Sequence, residues 1–177
     1  MKKQKTFLIV LATVVIVSVV LAVAVVRLRP TKFTDPADIV LKLEDLRSSD
    51  KITSEGLYGY SFVENGKPVT SKSGYARSFA SKLEANVARF SSAEEAHKGF
   101  LSAKEATHVL MPGPMVEDVP GPTVGDETFW RRYESFPGYH LRCVARKTDF
   151  IIQIRGLENV HLMDELCDYA KIMERRI

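Results

Sequence analysis

Cysteine, histidine and tryptophan are scarce in this chain: two, four and one in 177 residues. A domain of this length buries a core without covalent staples, so the cysteines are not needed as a scaffold. Only His140 and Cys143 stand three or four positions apart, the spacing of a zinc-type ligand pair. Strand alternation would point them to opposite faces, so no metal site and no cofactor are expected. A glycine-rich phosphate loop, a nucleophile elbow and a zinc-protease helix motif are all missing. No catalytic residues stand out, and the reading is of a protein that is not an enzyme.

A surplus of one charge is missing too. The formal net charge is +3, but Lys2, Lys3, Lys5, Arg27 and Arg29 flank one apolar run near the N-terminus. Removing those five from 25 basic residues leaves 20 against 22 acidic ones. Nucleic acid calls for a basic patch or stripe, so it is excluded as a partner.

One long apolar run is present. Phe7 to Val26 carries no charge, and only Thr13 and Ser18 interrupt it. At about 1.5 Å per residue it spans roughly 30 Å, the thickness of a bilayer's hydrocarbon. Three lysines precede it and Arg27, Arg29 and Lys32 follow, on a tail of only six residues. The positive-inside rule then favours an inner N-terminus. The expected organisation is a cytoplasmic tail (1–6), a single-pass transmembrane anchor (7–26), a linker (27–34) and an extracytoplasmic domain (35–177) at the cell membrane. Ala22-Val23-Ala24 has the form of a signal-peptide cleavage site, so a secreted domain is the alternative. The run contains no GxxxG, which gives no sign of a self-associating helix.

The domain reads as α+β in the order α-βββ-α-βββ-α, an antiparallel sheet with helices packed on one face. Asp35-Pro36 starts a helix with Ile39, Leu43 and Leu46 along one stripe. A strand over 57–63, an Asn65-Gly66 hairpin, a strand within 69–79 and a strand over 82–90 follow. Ser91 or Ser92 with Glu94 or Glu95 caps the second helix. Met111 to Pro122 holds four prolines and two glycines and predicts irregular chain. Strands near 128–134, 139–146 and 150–155 and a C-terminal helix complete the order.

Few residues suggest chemistry. Cys143 and Cys167 either form a disulfide outside the cytoplasm or stay as buried free thiols. His161 lies near Asp164 and Glu165 at a helix start, where the acids also suit the helix dipole. Trp130 and Arg132 share one face of a strand, where a Trp beside arginines suits an anionic or aromatic ligand or a partner protein. The bland reading is an amphipathic strand with its basic side in water. Long loops in compact domains are often functional, which adds Met111 and Met115 to Trp130 and Arg132 as candidate ligand or partner contacts.

The run Val119-Pro120-Gly121-Pro122-Thr123-Val124-Gly125-Asp126-Glu127 resembles a turn of small secreted or lipid-anchored bacterial domains. These are the PsbP-like proteins and the extracellular sensor-like domains of some bacterial serine/threonine kinases. The similarity extends over about 83–177 in element order, with Thr128 standing where Ala is usual. It implies an α+β sandwich with a ligand-binding or accessory role, and it transfers no site residues. The combined expectation is a membrane-tethered, non-enzymatic accessory or sensor-like domain that binds a small ligand or a protein. A structural subunit of a membrane complex is the alternative.

Overall fold

Asp35 is the N-cap of a helix: its carboxylate accepts the Ala37 N–H at 3.0 Å and Pro36 occupies the first helical turn. The computed structural model describes residues 35–47, 49–109, 116–135 and 138–177. The expected anchor, Phe7 to Val26, lies outside them. Among the described residues no helix is long and apolar enough to cross a membrane.

The first helix is far shorter than its stripe suggests. α1 is Pro36–Ile39, and a 3-10 turn, Leu43–Asp45, follows after extended chain. Ile39, Val40 and Leu41 are all fully buried. One helix face cannot bury three consecutive residues, so the chain straightens and threads into the core.

Nine strands follow in the described residues: β1 (Ile52–Leu57), β2 (Ser61–Glu64), β3 (Lys67–Thr70), β4 (Ser73–Phe79), β5 (Glu84–Arg89), β6 (Val116–Val119), β7 (Glu127–Ser135), β8 (Gly138–Lys147) and β9 (Phe150–Leu157). Helix α2 (Ala93–Val109) separates β5 from β6, and α3 (Met163–Glu174) ends the fold. Seven strands form one antiparallel sheet in the order β1-β4-β5-β9-β8-β7-β6. β2 and β3 form a separate hairpin. Its turn is the expected one, with positive φ at Asn65 (51°) and Gly66 (75°). The α2 start is also as expected: Ser92 Oγ accepts the Glu95 N–H and the Glu95 carboxylate accepts the Ser91 N–H, both at 3.1 Å.

Three expectations are corrected. The first half of the domain has five strands instead of three. Part of the proline-rich stretch, Val116–Val119, is a strand; it lies at the sheet edge, where neighbouring prolines do little harm. Helices cover both faces of the sheet rather than one. Phe150, Ile152 and Ile154 of β9 pack into a cluster with α1 and α3, while Ile151 packs into a second cluster with Ala96, Phe100 and Ala103 of α2. A strand buried on both sides needs cover on both sides.

The turn before β7 is fixed by backbone geometry. Gly125 has φ +69°, and a Cβ there would lie 2.4 Å from the Arg146 carbonyl oxygen. Next to it, Asp126 donates its N–H to that oxygen at 2.7 Å and accepts the Thr148 N–H at 2.8 Å. The Gly-Asp pair therefore joins the start of β7 to the β8–β9 turn. Burial alone would raise the Asp126 carboxyl, yet the Thr148 N–H bond and the Lys147 and Arg146 charges hold it below its usual range.

Candidate functional site

The α2-covered face of the sheet changes character along its strands. Under α2 it is apolar: Phe129, Val144, Ile151 and Ala88 join Phe90 and the hairpin residues Tyr60 and Phe62. Further along it is polar. The register sets Asp118, Arg131, Arg142, Arg155 and Glu84 in one row across β6, β7, β8, β9 and β5. Three arginines stand side by side on adjacent strands. Like charges directly opposite each other in a sheet are destabilising, so each needs an account.

The two outer arginines are neutralised. Arg131 is 0% exposed; its Nε donates to Asp118 at 2.7 Å and an Nη to the Lys104 carbonyl at 3.0 Å. Arg155 forms an ion pair with Glu84 and donates to the Tyr133 hydroxyl at 3.1 Å. Arg142, in the centre, is different. It is half-buried, and among the described residues no carboxylate pairs with it. Its Nη2 donates to Gln153 Oε1 at 3.0 Å.

Gln153 is 5% exposed. Its oxygen faces Arg142 and also the Tyr58 hydroxyl, at 3.5 Å. Because a guanidinium only donates, this fixes which end of the amide is oxygen. The Nε2 group is buried and has no hydrogen-bond partner among the described residues. The Tyr58 hydroxyl shares the Gln153 oxygen with Arg142, while the Tyr60 hydroxyl donates to the Gly99 carbonyl at 2.9 Å. Burial raises both phenols, Tyr60 to about 12, and the Arg142 charge opposes the rise in each.

His140 lies on the same face, two residues from Arg142 along β8. It stacks on Tyr133 with ring centroids 5.4 Å apart and planes 13° from parallel. Both ring nitrogens are buried without a hydrogen-bond partner. Burial and the Arg155 charge lower its pKa, with Glu84 opposing. His140 and Arg155 line a cleft of about 590 Å³, together with Ser78, Lys82, Glu84 and Leu157.

The residues singled out from sequence lie elsewhere. Trp130 is 3% exposed on the opposite face, and its indole N–H donates to the Pro122 carbonyl at 2.8 Å. Arg132 pairs with Glu158 at 2.7 Å and lies over the Tyr139 ring at 4.3 Å. Met111 and Met115 fall outside the described residues. The basic side of the strand is not in water either, since Arg131 is wholly buried. Cys143 and Cys167 are buried free thiols in one apolar cluster, and burial pushes both up from the usual thiol range. His161 is occupied structurally, with Nε2 at 3.1 Å from the Ser81 carbonyl and Nδ1 at 3.2 Å from Glu165. Among the described residues no group of three His, Cys, Asp or Glu side chains is placed to hold a metal ion.

Sequence reasoning missed Arg142, Gln153 and Arg155, and weighed His140 only as a metal ligand. A signal was present: Arg142 sits between Leu141 and Cys143, and Arg155 follows Ile154, so charges occupy alternate positions in otherwise apolar strands. Neither a known family model nor a curated protein matches this sequence.

Proposed function

We propose that this chain is a membrane-tethered, non-enzymatic domain that binds a small ligand outside the cytoplasm, on the polar half of the α2-covered sheet face. One observation carries the reading. Gln153 Nε2 and both His140 nitrogens are buried, on one face, with no protein partner among the described residues. Leaving such groups unpaired costs about 1–3 kcal/mol each, so they mark a place where hydrogen bonds are made to something else. Ligand sites are typically concave with a few convergent polar groups, and the cleft lined by His140, Arg155, Glu84 and Lys82 has that form.

The same geometry supports binding over catalysis. A general base needs a hydrogen bond to a nucleophile and an orienting partner. His140 has neither among the described residues, and Glu84 is held by Arg155. The resemblance to PsbP-like and kinase sensor-like domains points the same way. The apolar run over 7–26 supports the tether.

The test is native mass spectrometry of the full chain in mild detergent, after incubation with a small-molecule extract. The expected result is a reproducible adduct that disappears in Arg142→Gln. An adduct retained equally by Arg142→Gln, or none at all, would overturn the reading. A second reading, a subunit of a membrane complex, draws on edge strand β1. Its outer edge pairs with no strand among the described residues, and Leu57 at its end is 95% exposed. A stoichiometric protein co-purifying with the chain, and lost when Leu57→Lys is introduced, would favour it.

A further inference from the structure

The cleft beside the β4–β5 turn presents more donors than acceptors. Ser78 of β4, Lys82 of the turn, Glu84 of β5, His140 of β8 and Arg155 of β9 line it, together with Thr53 of β1. Lys82 is exposed and makes no ion pair among the described residues. Arg155 uses two of its five N–H donors, one on Glu84 and one on the Tyr133 hydroxyl. The other donors have no acceptor among the described residues, and the side chain is 40% exposed, so they can be reached. Glu84 is the one carboxylate on the lining, and it is already given to Arg155.

The charges agree with the donors. With Glu84 set against Arg155, Lys82 leaves the lining net positive. His140 adds no charge near neutral pH, because burial and the Arg155 charge hold its pKa down. Arg142, opposite Arg155 in the register, adds positive field from the next strand. Lys82 also stands where the backbone suits another residue. Its φ is +65°, in the left-handed region that favours glycine. Residues held in that region cluster at ligand clamps, where the side chain is needed despite the backbone.

The space suits more than a bare ion. Its volume of about 590 Å³ lies within the range of small-molecule sites, roughly 300–1,000 Å³. Leu83, Leu157 and Phe79 give part of the lining an apolar character. Resting on the binding reading above, we propose that this cleft takes a small organic anion, its charged group held between the Lys82 ammonium and the Arg155 guanidinium. Glu84 acts as a positioning residue: it fixes the guanidinium, and its own charge limits the pull on the anion.

The experiment uses the full chain in detergent, with benzoate, phenyl phosphate, inorganic phosphate, benzyl alcohol and benzylammonium as probes. Occupancy is read from the His140 ring resonances. Benzoate and phenyl phosphate are expected to shift them, and the tighter of the two tells a carboxylate from a phosphate ligand. Benzyl alcohol and benzylammonium, of similar shape without the negative charge, should bind much more weakly. Lys82→Gly removes the ammonium and suits the backbone. It should melt no lower than wild type, yet bind benzoate about 5- to 10-fold more weakly. Glu84→Gln should bind benzoate more tightly, because the Arg155 charge is no longer answered.

Benzyl alcohol or benzylammonium moving those resonances as readily as benzoate would overturn the anion assignment. Benzoate binding undiminished in Lys82→Gly would overturn it too. Inorganic phosphate binding as tightly as phenyl phosphate would overturn the organic part of the ligand. If no probe moves the resonances while the extract adduct in the native mass spectrum persists, the anion assignment falls and the binding reading stands. If the adduct is missing as well, both fall.

Discussion

Gln153 accepts an N–H from Arg142 on its amide oxygen at 3.0 Å and keeps a buried amide nitrogen that bonds nothing among the described residues. Both side chains come from central strands, β9 and β8, where neighbours are fixed by the ladder. The pair is therefore held rigidly, while one of its polar groups stays unsatisfied. Folded proteins retain such groups chiefly where function requires them.

His140 makes the fold sensitive to acid. Its folded pKa is depressed below 6.5 by burial and the Arg155 charge. Below that value the unfolded chain takes up a proton that the folded chain resists, so stability falls as pH drops. His140→Phe keeps a ring against Tyr133 and removes the proton site. Urea unfolding at about pH 7.5 and about pH 5.5 should show a smaller loss in the variant than in wild type. Equal losses would show that His140 contributes nothing to the pH dependence.

Two glycines in the run 119–127 act by different means. Gly125→Ala meets a positive φ of +69° and the Arg146 backbone oxygen at 2.4 Å, and neither can yield. It should cost about 2 kcal/mol or more. Gly121→Ala places a Cβ 2.4 Å from the Trp130 ring, which is pinned by its bond to Pro122. A loss of about 1–3 kcal/mol is expected. Denaturant midpoints measure both, and an unchanged midpoint for Gly125→Ala would contradict the turn geometry.

Arg176 ties the two ends of the domain together. Its guanidinium donates to the Ile39 and Val40 carbonyls at 3.3 and 3.2 Å and to Asp45 at 2.6 Å. The Asp45 carboxylate is mostly buried. Arg176→Met should cost about 1–3 kcal/mol, because acceptors lose their donor in a poorly solvated place. Amide exchange should accelerate at Val40, whose N–H closes α1 on Pro36. Unaltered exchange there would show that α1 is held by apolar packing alone.

The thiols should be inert in the folded protein. Cys143 and Cys167 are both buried, and burial disfavours their thiolates. Alkylation should proceed only after denaturation, and the denatured mass should match the fully reduced chain. A mass two hydrogens lower would mean that the pair is oxidised.

Local signals made part of this fold readable. The α2 cap, the Asn65-Gly66 turn, the β8–β9 meander and the apolar stripe of α3 each depend on residues close in sequence. Other elements have no such signal. β1 has mostly exposed side chains and no apolar alternation, because it is an edge strand. β6 hides among prolines. The second covered face was legible in principle, since Phe150, Ile151 and Ile152 leave no polar side to β9. The site was not. Arg131, Arg142 and Arg155 become neighbours only through strand register, and register depends on pairing between distant segments. Trp130 drew notice because it stands beside arginines, yet its bulk fills the opposite face.

The central claim is that Arg142 and Gln153 are arranged for a ligand rather than for the fold. The double variant Arg142→Met, Gln153→Leu tests it most directly, by denaturant unfolding of the full chain without added ligand. Removing an unbalanced charge and an unpaired buried donor together, with volume kept, should leave the domain as stable as wild type or more stable by about 1–3 kcal/mol. A double variant destabilised by a similar amount would show that the pair serves the fold, and the account of the site would be wrong.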